Sequence, residues 1–377
     1  MRSRYLVVSI VCMLAFPLSL GVPVSEGAAS SRAVSPVFLD GFKTVTRVAS
    51  TVPENGDVNP YGVARVTHSS GRLVAGDALV SNFNSKANLQ GTGTTIVEVS
   101  PSGGVRLFAR ISTLPQGQSC PGGIGLTTAL GILPGGWVVV GSLPTSSGGA
   151  LPAVSPAGCL IVLNSAGTPV ETITNPDIAG PWDMALTSSA KIATLFVSNA
   201  LTGTTRRVGD RPVSGTCTVV RLDLALEGAA PPRLTSSTVI GTGYPWVANK
   251  AALVLAPTGL ALARNETLYV ADTETDSVSA IPAALSRGGA PESRSAPLSS
   301  RGSLDAPLGM VIAPDGDIVV VNGNNGNAVE ITPGGKQIAT VTLVKNGAGD
   351  LFGLTLAAGG KGILFVDDGT NSLDRYH

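Results

Sequence analysis

An all-β fold is predicted for this chain: a six-bladed β-propeller whose four-stranded antiparallel blades close into a ring. Two observations carry the prediction. Short runs rich in Val, Ile and Leu recur along the chain, separated by Gly, Pro, Asn or Asp, which is typical of strands and turns. These runs also repeat as larger units, while the periodicity of amphipathic helices is nearly absent.

The N-terminal segment, residues 1–29, is interpreted as a secretory signal peptide. Arg2 and Arg4 precede an apolar stretch from Leu6 to Leu20, and small residues follow it. A membrane span needs about 20 apolar residues, and this stretch is short and contains Pro17, which favours cleavage over an uncleaved anchor. We therefore expect a secreted or periplasmic protein, with residues 30–41 as a linker and residues 42–377 as the propeller.

Composition excludes several classes of protein. The chain has 25 basic and 25 acidic residues, with no basic stripe that would hold nucleic acid and no polybasic segment for anionic lipid. A hydrophobic content of 43% together with 47 Gly and 26 Pro indicates a folded protein with many turns rather than a disordered one. We expect a monomer.

Each repeating unit begins with a strand that contains a small "anchor" residue, as in PTGLALA and PLGMVIA. Second and third β-branched runs follow, for example TLYV and then SVSAI. A fourth run completes four of the units, namely VRLFARI, PVETI, LTSSTVI and QIATVTL. In the fourth unit the segment from Ala283 to Ser303 is either a surface loop or a frayed outer strand. The predicted anchors are Gly62, Gly125, Asp183, Gly259, Gly309 and Gly353.

The sixth unit ends at His377 after only three strands. A strand-like run, FKTVTRVAS, lies unassigned between Phe42 and Ser50. We predict that this run is the missing outer strand of the sixth blade. Such pairing joins the two ends of the chain, closes the ring and covers sheet edges that would otherwise aggregate.

The pattern resembles the NHL repeat. It reads Pro-x-Gly-apolar-Ala, then Val-Ala-Asp or its equivalent, then apolar-x-x-apolar, and its best copies are PTGLALARNETLYVADTETDSVSAI and PLGMVIAPDGDIVVVNGNNGNAVEI. The resemblance implies the six-bladed superfamily that includes gluconolactonase-like enzymes, strictosidine synthase-like proteins and peptidyl lyases. These proteins share the fold and not the chemistry. Because only His68 and His377 are present, His-rich metal ligation of the peptidyl lyase type is disfavoured.

Oxygen-bearing side chains gather in the loops of one propeller face, where they suit a hard cation such as Ca²⁺. The resemblance to gluconolactonase-like enzymes implies a Glu near the first inner strand with amide and Asp ligands from other blades. Glu54 precedes Gly62 by eight residues, and Asn199 and Asp272 could supply the others. The candidate metal ligands are Asp183, Asn199 and Asp272.

A structural role competes with this interpretation. Asn82, Asn199 and Asp272 recur at one position after the second strand, where a small polar side chain can cap a turn. Asp183 differs because it replaces an anchor Gly, and a carboxylate there is costly unless it is hydrogen-bonded or binds a cation. The candidate binding face consists of Asn82, Trp182, Trp246, Asn322 and Asp367.

Three cysteines follow the predicted signal peptide, and a secreted protein favours pairing two of them. A bridge between Cys120 and Cys159 is our first choice, and Cys159–Cys217 is the rival. None has the CxxC spacing of a zinc or redox site.

Two functions remain open from the sequence. The first is a binding scaffold that presents loops to a protein, peptide or carbohydrate. The alternative is a metal-dependent lactonase or esterase with its site at the central channel. No catalytic residue is assigned, and no cofactor other than Ca²⁺ is expected.

Overall fold

Six antiparallel sheets are the blades of a six-bladed β-propeller. The computed structural model describes residues 37–145, 157–201, 213–249, 252–291 and 296–377. The predicted signal peptide and most of the predicted linker lie outside the described residues. Within the described part of the chain, no helix has the length and apolarity needed to cross a membrane.

The blades follow one another in chain order. Strand β1 (Val45–Ser50) precedes the first blade, which holds β2 (Val58–Arg65), β3 (Ala78–Asn84), β4 (Thr95–Val99) and β5 (Val105–Arg110). The second blade holds β6 (Leu130–Leu133), β7 (Trp137–Ser142), β8 (Cys159–Leu163) and β9 (Pro169–Ile173). The third holds β10 (Pro181–Ser188), β11 (Ile192–Asn199), β12 (Val213–Ala225), β13 (Arg233–Asn249) and the short β14 (Leu253–Leu255).

The remaining blades complete the ring. The fourth blade holds β15 (Pro257–Leu262), β16 (Leu268–Asp272), β17 (Ser277–Ile281) and β18 (Ser299–Ser300). The fifth holds β19 (Pro307–Ile312), β20 (Ile318–Asn322), β21 (Asn327–Ile331) and β22 (Gln337–Thr342). The sixth holds β23 (Leu351–Leu356), β24 (Ile363–Asp367) and β25 (Ser372–Tyr376), and β1 is its outer strand. The described residues also form 3₁₀ turns at Leu39–Gly41, Pro134–Gly136 and Ala358–Gly360.

The predicted closure by an N-terminal strand is confirmed. β1 pairs antiparallel with β25, so that Val45 lies opposite Tyr376. Residues just before β1, assigned to the linker by the sequence, also pack onto the propeller. The buried carboxylate of Glu330 accepts hydrogen bonds from the backbone N–H groups of Phe38 and Leu39 at 2.8 and 2.7 Å. The closure therefore ties the N-terminal segment to two blades.

Burial explains the two kinds of strand seen in the sequence. Second and third strands such as β3, β4 and β8 are buried at every residue, because both faces of a blade pack against its neighbours. Outer strands such as β5 and β22 are partly exposed and contain polar residues. In the fourth blade the outer strand is only β18, which pairs with β17, so the frayed-strand interpretation of this unit is the correct one.

The anchors allow adjacent inner strands to approach closely. A Cβ atom on Gly353 would lie 1.9 Å from the carbonyl oxygen of Tyr61, and one on Gly62 would lie 2.4 Å from that of Thr128. In each case the oxygen belongs to the residue before the next anchor, which identifies Ala129 as the anchor of the second blade. The predicted anchor Gly125 is wrong. It precedes β6, and its neighbour Leu126 forms an isolated bridge with Leu143.

Candidate active site in the central channel

An aromatic cluster closes one end of the central channel. Tyr61, Trp182 and Phe352 each precede an anchor, in the first, third and sixth blades, and Phe83 joins them. The indole N–H of Trp182 donates a hydrogen bond of 2.7 Å to the hydroxyl of Tyr61. Because the first and third blades are not neighbours, this contact crosses the axis. We call the four residues the aromatic plug.

Beyond the plug the channel widens toward the opposite face. Its wide part has a volume of about 490 Å³, within the range of small-molecule sites. All six inner strands line it with residues that follow their anchors, including Arg65, Leu186, Leu262 and Ile312. A ligand would therefore enter at the C-terminal ends of the inner strands.

Asp183 lies at the closed end of the channel. Together with Tyr61 of the plug, it lines a cavity of about 50 Å³. Its backbone N–H is held by the hydroxyl of Ser198 at 3.1 Å. One carboxylate oxygen accepts the N–H of Met184 at 2.7 Å, and the other accepts the N–H of Leu260, from the next blade, at 3.3 Å. The side chain thus bridges two blades and remains partly exposed to the cavity.

The surroundings of Asp183 change its acidity. Burial raises its pKa from 3.8 to about 7, against the opposing effect of the two N–H donors. Burial, and secondarily the charge of Asp183, also raises the pKa of Tyr61. Near neutral pH the Asp183 carboxyl group therefore exists in both protonation states. A carboxyl group in this state can take a proton and return it.

The two other residues of the candidate metal set have their own partners away from this cavity. The amide oxygen of Asn199 accepts the N–H groups of Ala179 and Gly180, and its nitrogen donates to the carbonyl of Asp177 and the hydroxyl of Thr218. Asp272 is buried and accepts the N–H of Glu274 at 3.2 Å. Asn199 therefore fixes the segment that leads into β10, and Asp272 fixes the turn after β16.

The candidate binding-face residues are buried. The exposed fraction is 4% or less for all five, Asn82, Trp182, Trp246, Asn322 and Asp367. The amides of Asn82 and Asn322 donate to the carbonyls of Thr51 and Ser303, in the same manner as Asn199. A partner bound at the loop face would not touch these side chains, whose contacts lie inside the propeller.

The side chains at Asp183 offer a calcium ion one carboxylate and one phenol. Ca²⁺ takes six to eight oxygen ligands, usually with several carboxylates. Apart from Asp183 and Tyr61, the residues that line the small cavity are apolar or glycine, and Glu54 lies exposed in a turn. Among the described residues, one group of three acidic side chains lies close enough to share an ion: Asp315, Asp317 and Glu330 in the fifth blade.

The cysteine pairing follows the first choice from the sequence. Cys120 and Cys159 form a disulfide, and Cys217 is a buried free thiol, so the rival pairing is wrong. Cys159 starts β8, and Cys120 lies in the loop before the inner strand of the same blade. The bridge holds this loop against the second blade.

The sequence drew attention to Asp183 as a departure from the repeat but did not predict the plug. The signal was present in the aromatic residues that directly precede three anchors, in PYG, PWD and LFG. Their convergence requires the ring geometry, because the three positions are far apart in the chain.

Comparison with known proteins shows the architecture. No protein-family model matches the chain, and no similar curated protein is found. A proposed gluconolactonase is similar in structure, with a TM-score of 0.55 and 14% identity over 91% of this chain and 95% of its own. A gluconolactonase from Xanthomonas campestris gives 0.52 and 11% over 88% of each chain. Regucalcin from Agrobacterium tumefaciens, described as a calcium-binding protein, gives 0.51 and 13% over 87% of this chain and 92% of its own. At these identities the likeness concerns the fold, and the chain is a six-bladed β-propeller with the architecture of gluconolactonase-like proteins.

Proposed function

We propose that this protein hydrolyses a lactone or ester in its central channel, with Asp183 as the general base. The observation that carries the proposal is the Asp183 carboxylate at the closed end of an open channel, with a pKa raised to about 7. A base with its pKa near the working pH combines the correct protonation state with sufficient basicity.

The reaction needs one water molecule and no other reactant. Asp183 takes a proton from water while the water oxygen bonds to the carbonyl carbon of the substrate. The ester C–O bond then breaks, and the leaving oxygen takes the proton back from Asp183. The products are a carboxylic acid and an alcohol, joined in one molecule when the substrate is a lactone.

The surrounding structure supports this chemistry. The aromatic plug closes the channel behind Asp183, which limits access of bulk water and keeps the local dielectric low. The wide part of the channel gives a path for substrate from the other face. The structural similarity to gluconolactonases makes lactones the first substrates to test, but it assigns no residue of this chain to the reaction. Because the small cavity holds one side-chain carboxylate, Asp183, the proposed reaction uses that group as the base and is written without a metal ion.

The test is turnover by the full chain. Hydrolysis of δ-valerolactone, glucono-δ-lactone and p-nitrophenyl acetate is followed from pH 5 to 9, with and without EDTA. We expect kcat/KM to rise with a midpoint near pH 7 and to be unaffected by EDTA. Asp183→Asn should lower it by about 10²–10⁴-fold. The matched control is Asp315→Asn, at an exposed carboxylate outside the channel, which should keep full activity.

Undiminished turnover in folded Asp183→Asn protein would remove Asp183 from the reaction. If no lactone or ester is turned over, the binding scaffold becomes the better proposal, and its ligand would have to be recognised by exposed loop residues other than the five buried ones.

A further inference from the structure

The inner strands present one backbone edge to the channel. In an antiparallel pair, residues alternate between those that bond to the partner strand and those whose N–H and C=O point away. Backbone hydrogen bonds between the inner and second strands fix this alternation in every blade. For example, the N–H of Ala313 bonds to Asp317 and that of Ala357 bonds to Gly362. Residues three positions earlier, Met310 and Leu354, therefore direct their N–H and C=O groups to the axis.

The same phase holds in all six blades. In the first and fourth blades, the bonds from Val66 to Asp77 and from Ala263 to Thr267 set it. In the second blade, the bond from Gly141 to Ala129 does so. The residues whose N–H groups face the axis, which we call the amide ring, are Val63, Leu130, Met184, Leu260, Met310 and Leu354, and all six line the Asp183 cavity.

Two members of the amide ring already bind a carboxylate. The N–H groups of Met184 and Leu260 donate to the two oxygens of Asp183. This contact shows that the ring has the donor direction needed for an oxyanion. The other four members converge on the same cavity, whose volume of about 50 Å³ is enough for a small ligand of one or two water volumes.

We propose that the amide ring is a binding site for a small oxyanion, of the size and charge of formate or nitrate. Main-chain N–H groups held by rigid strands bind anions without a charged side chain. Ionised Asp183 occupies part of the ring and repels a second anion. A neutral residue at position 183, or protonation of Asp183, releases that repulsion and frees donors.

The charges around the cavity are few. Tyr61 is the other titratable residue that lines it, and its pKa is raised, so it stays neutral. The remaining lining residues do not titrate, and Arg65 lines the wide part of the channel rather than the small cavity. Asp183 therefore controls the pH dependence of anion binding.

The site also has a role in the hydrolysis proposed above, and this part rests on that proposed function. When water attacks the substrate carbonyl, negative charge develops on its oxygen. N–H groups from Met310, Leu354, Val63 or Leu130 would stabilise that charge while Asp183 holds the proton.

The test uses sodium formate and the full chain, and it needs no turnover. The key variant is Asp183→Gly, which restores the residue found at four of the six anchors. Isothermal titration calorimetry is carried out at pH 5.5 and pH 8.5. We expect Asp183→Gly to bind formate with similar affinity at both pH values. The wild type should bind at pH 5.5 and at least tenfold more weakly at pH 8.5.

A second substitution tests the donors themselves. Met310→Pro, added to Asp183→Gly, removes one channel-facing N–H group. This N–H makes no hydrogen bond to the neighbouring strand, so the proline can be accommodated at the strand edge. We expect formate affinity to fall about tenfold or more. Asp183→Asn replaces Asp183→Gly if the glycine variant does not fold. Failure of the folded variant to bind formate would overturn the amide-ring site, whether or not the protein hydrolyses lactones.

Discussion

The raised pKa of Asp183 predicts how stability depends on pH. A rise from 3.8 to about 7 means that the folded protein keeps the Asp183 proton over a range where the unfolded chain releases it. Folded stability from this group is therefore fully present below about pH 4 and is lost as the pH rises toward 7. At 1.36 kcal/mol for each tenfold change in acidity, the loss is about 4 kcal/mol.

Asp183→Asn isolates this contribution. The amide of Asn cannot ionise, so the variant does not lose stability as the pH rises. Its NH₂ group cannot accept the second N–H bond, which lowers the free energy of unfolding by about 1–3 kcal/mol at every pH. The constant cost cancels when the two proteins are compared across pH. We expect the free energy of unfolding of the variant, relative to wild type, to increase by about 4 kcal/mol between pH 4 and 8.

Urea denaturation at intervals of half a pH unit measures this difference. Replacing both Cys120 and Cys159 by Ser is the matched control, because it removes the disulfide and leaves every carboxyl group and the plug in place. The free energy of unfolding of this control, relative to wild type, should be the same at each pH. If the free energies of unfolding of Asp183→Asn and wild type differ by an amount that stays constant within about 1 kcal/mol from pH 4 to 8, burial does not raise the pKa of Asp183 as argued.

Three further predictions concern the scaffold. Replacing both Cys120 and Cys159 by Ser should lower the free energy of unfolding by about 4 kcal/mol, the chain-entropy value for a separation of 39 residues, and calorimetry under non-reducing conditions checks it. Gly353→Ala should cost at least about 1–3 kcal/mol, because its Cβ would meet the carbonyl of Tyr61 at 1.9 Å. Gly334→Ala, whose Cβ has no neighbour closer than 3.7 Å, should be nearly neutral in the same melts. Trp182→Phe should cost about 1–3 kcal/mol, because the buried hydroxyl of Tyr61 loses its partner.

The scaffold was predictable because its signals are local and repeated. Buried second and third strands such as β20 and β8 appear as continuous runs rich in Val, Ile and Leu, and the leftover run that contains β1 had only one blade edge to complete. Gly125 was misassigned because a Gly followed by an apolar residue also occurs outside inner strands. Its position against the true anchor, Ala129, depends on contacts between blades that a single sequence does not display.

The site was predictable only in part. Asp183 stood out as an exception to the repeat, whereas the plug and the amide ring arise from six strands converging on one axis. Asn82, Asn199 and Asn322 look like ligands because they are polar and lie at a loop face. Their amides instead donate to backbone carbonyls of the segments before the inner strands.

The energetics of position 183 favour a functional origin for its carboxylate. Ionised Asp183 costs the folded protein about 4 kcal/mol, which is a large share of the 5–15 kcal/mol that stabilise a typical domain. Glycine occupies this position in four other blades and would remove the cost while keeping the close approach of the strands. The carboxylate bridges Met184 and Leu260, yet Ser198 already joins the same two blades by donating to the carbonyl of Thr258 at 2.6 Å. The Asp183 carboxylate thus destabilises the fold, and the contact that it makes between the blades is also made by Ser198. A destabilising group of this kind is expected where its chemistry is used.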